Sequence, residues 1–428
     1  MKNTEALQKI GQSLWYDNIQ RSMLQNGEIA GMISRGEIHG MTSNPSIFQN
    51  AIVKSTDYDI QIQTLAWTGV SAEAIFWDIA INDVQKAADL FQDVYRSTGK
   101  CDGYVSLEVN PNFAYDTQAT INAALDVWKK VNRQNLMVKV PATKAGIPAI
   151  RELTKLGINV NVTLIFSKER YIEVAEAYIS GLEERVSSGN PIDHVHSVAS
   201  FFVSRVDSKI DPLLNQAETS SKQSENLALM KGKAAIYNSR LAYKEFTDRF
   251  GQKRFAELLK KGANVQRPLW ASTSTKNPAY PDVMYVEELV GKNTVNTIPP
   301  ATLKAFLDHG KVKETISNDL PMANPFFKEL AELGININEI TDILEQEGVK
   351  AFIEAYDSLI FAIESRRSNE ISRLCALAPK VKTRLDLLKN EKFVTRLWNH
   401  DPALWTDQPD GQKEIVQRMD WLLAPWEY

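Results

Sequence analysis

Cysteine is scarce in this chain: Cys101 and Cys375 are the only two in 428 residues. Two are too few for a disulfide framework, and their spacing fits no zinc site. Long apolar runs are missing as well; nowhere do 18 such residues follow one another, so no membrane-spanning helix is expected. Nor is there an excess of charge of one sign. The 49 Lys and Arg stand against 53 Asp and Glu, for a formal net charge of -4. That balance provides neither the basic surface that grips nucleic acid nor an acidic tail that seeks a charged partner. The first dozen residues are polar and give no secretion signal. Together these absences point to a reduced, cytoplasmic, globular protein.

Nucleotide and hydrolase signatures are absent too. No Gly-x-Gly-x-x-Gly follows a strand-like run, no P-loop occurs, and no serine nucleophile elbow is present. Histidines number only five, and although His194 and His196 are two apart, no further ligand type clusters with them. They read as structural rather than as metal ligands, and no metal or other cofactor is expected.

What the chain does have is a repeating alternation of short apolar runs and helix-length stretches. The runs are 14–16, 40–42, 104–107, 137–140, 160–165, 198–203, 265–270 and 294–296. Strands alternating with helices imply a parallel sheet with right-handed crossovers, and eight such units suggest a closed (β/α)8 barrel. Periodicity alone leaves an open doubly wound sheet as the alternative. Between strands, Lys168 to Glu184 places Tyr171, Val174, Ala175, Tyr178 and Leu182 on one helical face. Residues 340–364 read as a helix-rich close to the barrel, and 215–226 as a polar surface loop. Past residue 365 the composition changes. Residues 366–396 hold nine Lys/Arg against three Asp/Glu, whereas 397–428 hold two against six and four of the nine tryptophans. The expected division is therefore a barrel over 1–365 and a helical, Trp-rich extension or linker over 366–428.

Lys139 is the most informative single residue. It lies inside the apolar run 136–140, and a lysine enclosed in a barrel loses solvation, which favours the neutral amine that attacks a ketone. On spacing alone, an outward, solvated lysine is the more ordinary reading. Other strands shift that balance. Glu108 ends the run 105–109, where a carboxyl can shuttle protons during carbinolamine formation and dehydration. Asp17 follows 14–16 in the same way, while Asn161 and Thr163 alternate along the fifth run. Any one of these alone reads as a structural polar residue; four strands doing so together do not. Arg205 and Lys276 follow the sixth and seventh runs beside hydroxyl residues, where a surface ion pair and a phosphate grip are both open.

In the stretches 40–48, 105–111, 137–143, 157–167, 197–207, 266–277 and 294–299 the sequence closely resembles the transaldolase family, from about residue 10 to 365. Insertions after the second and sixth strands, including 208–228, resemble its larger bacterial subclass. The resemblance implies a class I aldolase-like TIM barrel of the pentose phosphate pathway that needs no cofactor. It would move a dihydroxyacetone unit between sugar phosphates through a Schiff base on Lys139. Glu108, with a water held by Thr163, would serve the proton transfers, and Asp17 would take the proton of the C4 hydroxyl. Asn44 and Asn161 would hold substrate hydroxyls with Ser200 nearby, and Arg205 would bind phosphate. Where the family has an arginine near strand seven, this chain has Lys276, a point charge instead of a fork. Ser204 and Phe201 also depart, standing where glycine and proline are common.

Residues 396–405 and 419–422 resemble the connector of transaldolases fused to glucose-6-phosphate isomerase. They imply a fragment of a fusion, or a connector that meets an isomerase domain or subunit. Two other functional readings stay open: a fructose 6-phosphate aldolase that releases free dihydroxyacetone, and a non-catalytic sugar-phosphate-binding barrel. Oligomeric state is not legible in the sequence.

Overall fold

The computed structural model describes residues 2–220 and 224–419. Eight parallel strands close into a barrel in sequence order: β1 (Gln12–Asp17), β2 (Met41–Thr42), β3 (Val105–Glu108), β4 (Leu136–Pro141), β5 (Val160–Ile165), β6 (Ser197–Phe202), β7 (Gln266–Ala271) and β8 (Thr294–Ile298). β8 returns to pair with β1, Gln12 to Tyr16 lying opposite Thr294 to Ile298. All eight apolar runs are strands, and closure excludes the open sheet. A strand with helices on one side and the barrel core on the other is covered on both faces, so it reads as continuous apolar sequence. β4 and β5 show this, every residue in them being buried.

The helices follow from local signals. The helix Lys168–Ser187 starts where the Ser167 hydroxyl accepts the Arg170 N–H, and all five residues expected on its inner face are buried. Asn44 caps Pro45–Lys54 in the same way, accepting from the Ile47 N–H at 3.0 Å. Gly146 opens the helix after β4, and a Cβ there would fall 2.0 Å from the Pro141 carbonyl oxygen. Only glycine lets that helix begin so close to the strand that carries Lys139.

The expected loop at 215–226 is a correction. A helix runs through it to Ser220, and another covers Ser224–Met230. Lys231 binds Glu218 at 2.5 Å, so an ion pair ties down the described part of this polar stretch; residues 221–223 lie outside the described residues. Polarity alone marked exposure and not irregularity.

Two compact units emerge. The first comprises the chain up to Asp57 and Asp78–Leu359, and holds the whole barrel. The second comprises Tyr58–Trp77 and the described residues from Ile360 onward. Its two segments meet through an Arg366–Asp59 ion pair at 3.0 Å, a Gln63–Glu370 hydrogen bond, and donation from Arg367 to the Val70 carbonyl. Helices Ala378–Asn390, Phe393–Trp398 and Pro409–Gln417 complete it without contributing a buried residue. Trp398 and Trp405 are each about half exposed; Trp421 and Trp426, with most of the 419–422 stretch, lie outside the described residues. Among the described residues, no helix is long and apolar enough to cross a membrane.

Candidate active site

Barrel geometry sends the C-terminal ends of the strands to one mouth, and the expected site residues collect there. Asp17 and Glu108 are the last residues of β1 and β3; Lys139, Thr163 and Ser200 lie near the ends of β4, β5 and β6. Asp17, Asn44, Lys139, Ser200, Arg205 and Lys276 line a single cavity. Glu108 and Asn161 lie behind that lining and touch it through Lys139 and Ser200, and Thr163 sits two residues beyond Asn161 on β5. Glu108 pairs in register with Lys139, and Lys139 with Asn161, so three adjacent strands present these side chains at one level. The alternate strands β2, β4, β6 and β8 supply Thr42, Lys139, Ser200 and Thr297 to the same cavity, the layering expected inside an eight-stranded barrel.

Lys139 is 5% exposed and lines the cavity at the barrel mouth, so its side chain points inward. Its Nζ donates to the Ser43 carbonyl at 3.2 Å, lies 3.6 Å from Glu108 Oε2, and sits 5.7 Å from the centre of the Phe352 ring. Phe352 arrives on the helix Ile337–Arg373, 213 positions away in sequence, and no local pattern pointed to it. A Cβ on Gly348 of that helix would lie 3.0 Å from Leu164 Cδ2, so glycine there allows the close approach. Leu164 itself has φ near +60° at an irregularity between β5 and β6. For a non-glycine residue this conformation costs about 1–3 kcal/mol, and it persists beside the site because the surrounding packing holds it.

Glu108 is held under electrostatic tension. Both carboxyl oxygens are buried without a hydrogen-bond partner, as is Thr163 Oγ1. Each such group costs about 1–3 kcal/mol, which a purely structural residue rarely sustains. Burial pushes the Glu108 carboxyl up to about 7 despite the opposing pull of Lys139, and Asp17 adds to the rise. Burial also raises the Asp17 carboxyl, while Lys139 and the Thr42 hydroxyl pull it back down.

A stability prediction follows. The folded-state value of Glu108 lies above its unfolded value of 4.5, so the folded protein holds this proton more tightly. The associated stability is present below pH about 4.5 and is lost as pH rises through about 7. Glu108→Gln cannot ionise, so urea denaturation should find it stabilised relative to the parent by about 2 kcal/mol more at pH 8 than at pH 5. An equal difference at both pH values would show that the carboxyl is not held protonated.

Asn161 ties the interior together, donating to Ser106 Oγ at 3.0 Å and accepting from Ser200 Oγ at 2.7 Å. Opposite it the cavity is cationic. The Arg205 guanidinium stacks 5.4 Å from the centre of the Phe202 ring and makes no hydrogen bond or ion pair to a described residue. Burial lowers its pKa, partly offset by Glu347. Lys276 donates to Ser274 Oγ at 2.8 Å; burial and the charge of Arg205 both push its pKa down. Two cations that feel each other in one cavity are a receptor for an anion.

Thr42 and Thr297 were not singled out in the sequence. Thr42 donates to Asp17 Oδ1 at 2.6 Å, and its oxygen lies 2.5 Å from that of Thr297. Both sit in motifs already noted, 40–48 and 294–299, yet only the fold brings β2 and β8 to the two sides of β1. His194 and His196 lie elsewhere, just before β6. His196 stands 5.5 Å from the Tyr104 ring, and burial brings its pKa down to about 4; His194 lies near Asp193 and Arg185.

Against known proteins, the family model described as transaldolase/fructose-6-phosphate aldolase matches residues 14–363. A transaldolase of Mycolicibacterium smegmatis is 45% identical over 365 residues, covering 85% of this chain and 97% of that protein. One from Trichodesmium erythraeum is 43% identical over 366 residues, 84% of this chain and 96% of its own length. Transaldolase 1 of Streptomyces avermitilis is 45% identical over 364 residues, with 85% and 95% covered. A match of this extent, over a barrel with this mouth, means that the chain belongs to the transaldolase/fructose-6-phosphate aldolase family.

Proposed function

We propose that the chain is a transaldolase that moves a dihydroxyacetone unit from sedoheptulose 7-phosphate to glyceraldehyde 3-phosphate, giving erythrose 4-phosphate and fructose 6-phosphate. The observation that carries the reading is the buried Lys139 amine, 3.6 Å from Glu108, in a cavity that also holds the Asp17 carboxylate and two cations. Lys139 Nζ attacks the C2 ketone of the donor. Glu108 moves the protons of carbinolamine formation and dehydration; its orphaned oxygens and that of Thr163 are groups a water molecule would satisfy. The resulting iminium draws electrons from C3, so the reaction needs no other electron sink. Asp17 takes the proton of the C4 hydroxyl, the C3–C4 bond breaks, and an aldehyde phosphate leaves. The enamine remaining on Lys139 then adds to the second aldehyde, and water hydrolyses the resulting iminium to release the product ketose and the free amine. Splitting one transfer into two halves lowers each barrier.

Asn44 and Asn161, with Ser200, are positioned to accept and donate to the hydroxyls of the three-carbon unit. Arg205 supplies a fork of donors for phosphate, and Lys276 a second charge. The free, exposed Cys101 and Cys375 suit a reducing, cytoplasmic setting. We further infer that 366–428 is an extension that docks an isomerase domain or subunit; its half-exposed Trp398 and Trp405 support that reading.

The test is a transfer assay with fructose 6-phosphate, with and without erythrose 4-phosphate. Turnover should require the acceptor, with sedoheptulose 7-phosphate as product and negligible free dihydroxyacetone. Acceptor-independent release of dihydroxyacetone would replace the proposal with an aldolase. Binding of fructose 6-phosphate without any turnover would leave a non-catalytic barrel.

A further inference from the structure

We propose that Thr297 is a positioning residue that acts through Thr42 to hold Asp17 Oδ1, so that Oδ2 is the oxygen that receives the substrate proton. The inference rests on the reading of Asp17 as the base for C3–C4 cleavage. It starts from a count of hydroxyl protons. Thr42 Oγ1 has two close neighbours, Asp17 Oδ1 at 2.6 Å and Thr297 Oγ1 at 2.5 Å, but only one proton to give. An ionised carboxylate cannot donate, so the Thr42 proton goes to Asp17. The short contact between the two threonines is then a hydrogen bond only if Thr297 donates to Thr42. The order of donation is therefore Thr297 to Thr42 to Asp17.

Burial keeps that order in place. Thr42 is 1% exposed and Thr297 4% exposed, so water competes poorly for either hydroxyl. The geometry is built by the backbone: Thr42 lies in register with Asp17, and Thr297 opposite Trp15 on the other side of β1. Thr297 is itself steadied from the segment just after β7, where the buried Thr273 hydroxyl reaches its carbonyl at 3.4 Å and Asn296 Oδ1 at 2.9 Å. Among the described residues, Asp17 accepts its one side-chain hydrogen bond at Oδ1 and lines the cavity. A carboxylate fixed at one oxygen cannot rotate freely, and its other oxygen faces the reaction in a constant direction. A chain of donors also polarises each member, so loss of the far hydroxyl is felt at Asp17 although the two do not touch.

The test uses Thr297→Val, which keeps the shape and removes the hydroxyl, and Thr297→Ser, which keeps the hydroxyl. Thr297→Val should trap fructose 6-phosphate on Lys139 with borohydride as fast as the parent, showing an intact fold and intact imine formation. Its kcat for transfer should fall by about 10-fold at unchanged KM, in keeping with a weakened hydrogen bond to a charged group. The acidic limb of its pH–kcat profile should move to higher pH, because a carboxylate with a weaker donor binds its proton more tightly. Thr297→Ser should restore both. Parental kcat and pH limb in Thr297→Val, no rescue by serine, or equal slowing of trapping and transfer would each overturn the proposal. Asp17→Asn separates the two levels: full transfer activity in that variant removes Asp17 as base, whereas an inactive Asp17→Asn beside an unaffected Thr297→Val overturns the role of Thr297 alone.

Discussion

Lys139→Met is expected to leave no borohydride-trapped adduct with fructose 6-phosphate and to lower transfer by about 10⁴-fold or more, as removal of a covalent nucleophile does. Methionine is the informative replacement because it keeps an unbranched stem of similar length. The side chain is 5% exposed and packed near the Phe352 ring, so a shorter residue would open a cavity and confuse folding with chemistry. Intact-mass measurement reads the result directly. The parent should gain the mass of a reduced dihydroxyacetone unit or of the whole ketose phosphate, located by peptide mapping at residue 139. The variant should gain nothing while retaining the parental melting profile. An adduct of equal yield in Lys139→Met would move the nucleophile elsewhere and undo the mechanism.

Asp17→Asn should divide the reaction at a different step. The asparagine carbonyl can still accept from Thr42, so the side chain keeps its place, but it cannot take a proton near neutral pH. Imine formation depends on Lys139 and Glu108 and should continue; trapping with fructose 6-phosphate should give a full yield of the six-carbon adduct. Cleavage should fall by about 10²- to 10⁴-fold, the usual worth of a positioned general base. The diagnostic is which mass is trapped. The parent should show the three-carbon unit once the aldehyde phosphate has departed, and the variant the intact ketose phosphate. Loss of all trapping in a folded Asp17→Asn would mean that this carboxyl serves an earlier step.

Burial explains why both effects should be large. The raised Asp17 and Glu108 carboxyls owe their shifts first to desolvation. Charges at such a site are worth far more than in water because no solvent rearranges to screen them. The same burial makes the site costly to fold, as the orphaned oxygens of Glu108 and Thr163 illustrate.

Much of this site is legible along the chain because a barrel strand concentrates its functional residues near one end. Asp17, Glu108 and Lys139 each interrupt an apolar run, and a charged residue in such a run is a visible anomaly. Polarity that is not anomalous leaves no such mark. Threonine is at home in strands, so Thr42 and Thr297 gave no local cue to their contact. Phe352 is invisible for the opposite reason: on a helix that also buries Leu344, Val349, Tyr356 and Leu359, an aromatic residue is ordinary core. The stretch 215–226 reads as a loop because polar composition reports exposure, while the ion pair that holds its described part, Glu218 with Lys231, comes from a residue beyond it.

Taken by itself, the sequence determined eight strands of a parallel sheet and marked Lys139, Asp17 and Glu108 as charged residues in apolar runs. Each of these is written in local periodicity or in a charge placed where solvation is scarce. Tertiary structure alone decided that Lys139 faces inward, which oxygen of Asp17 is held, and which helix covers the amine. Closing the barrel sets β8 beside β1 and so brings Thr297 to Thr42 across 255 positions of chain. No window of sequence spans that distance, and the direction of a hydroxyl proton depends on every acceptor that folding places around it.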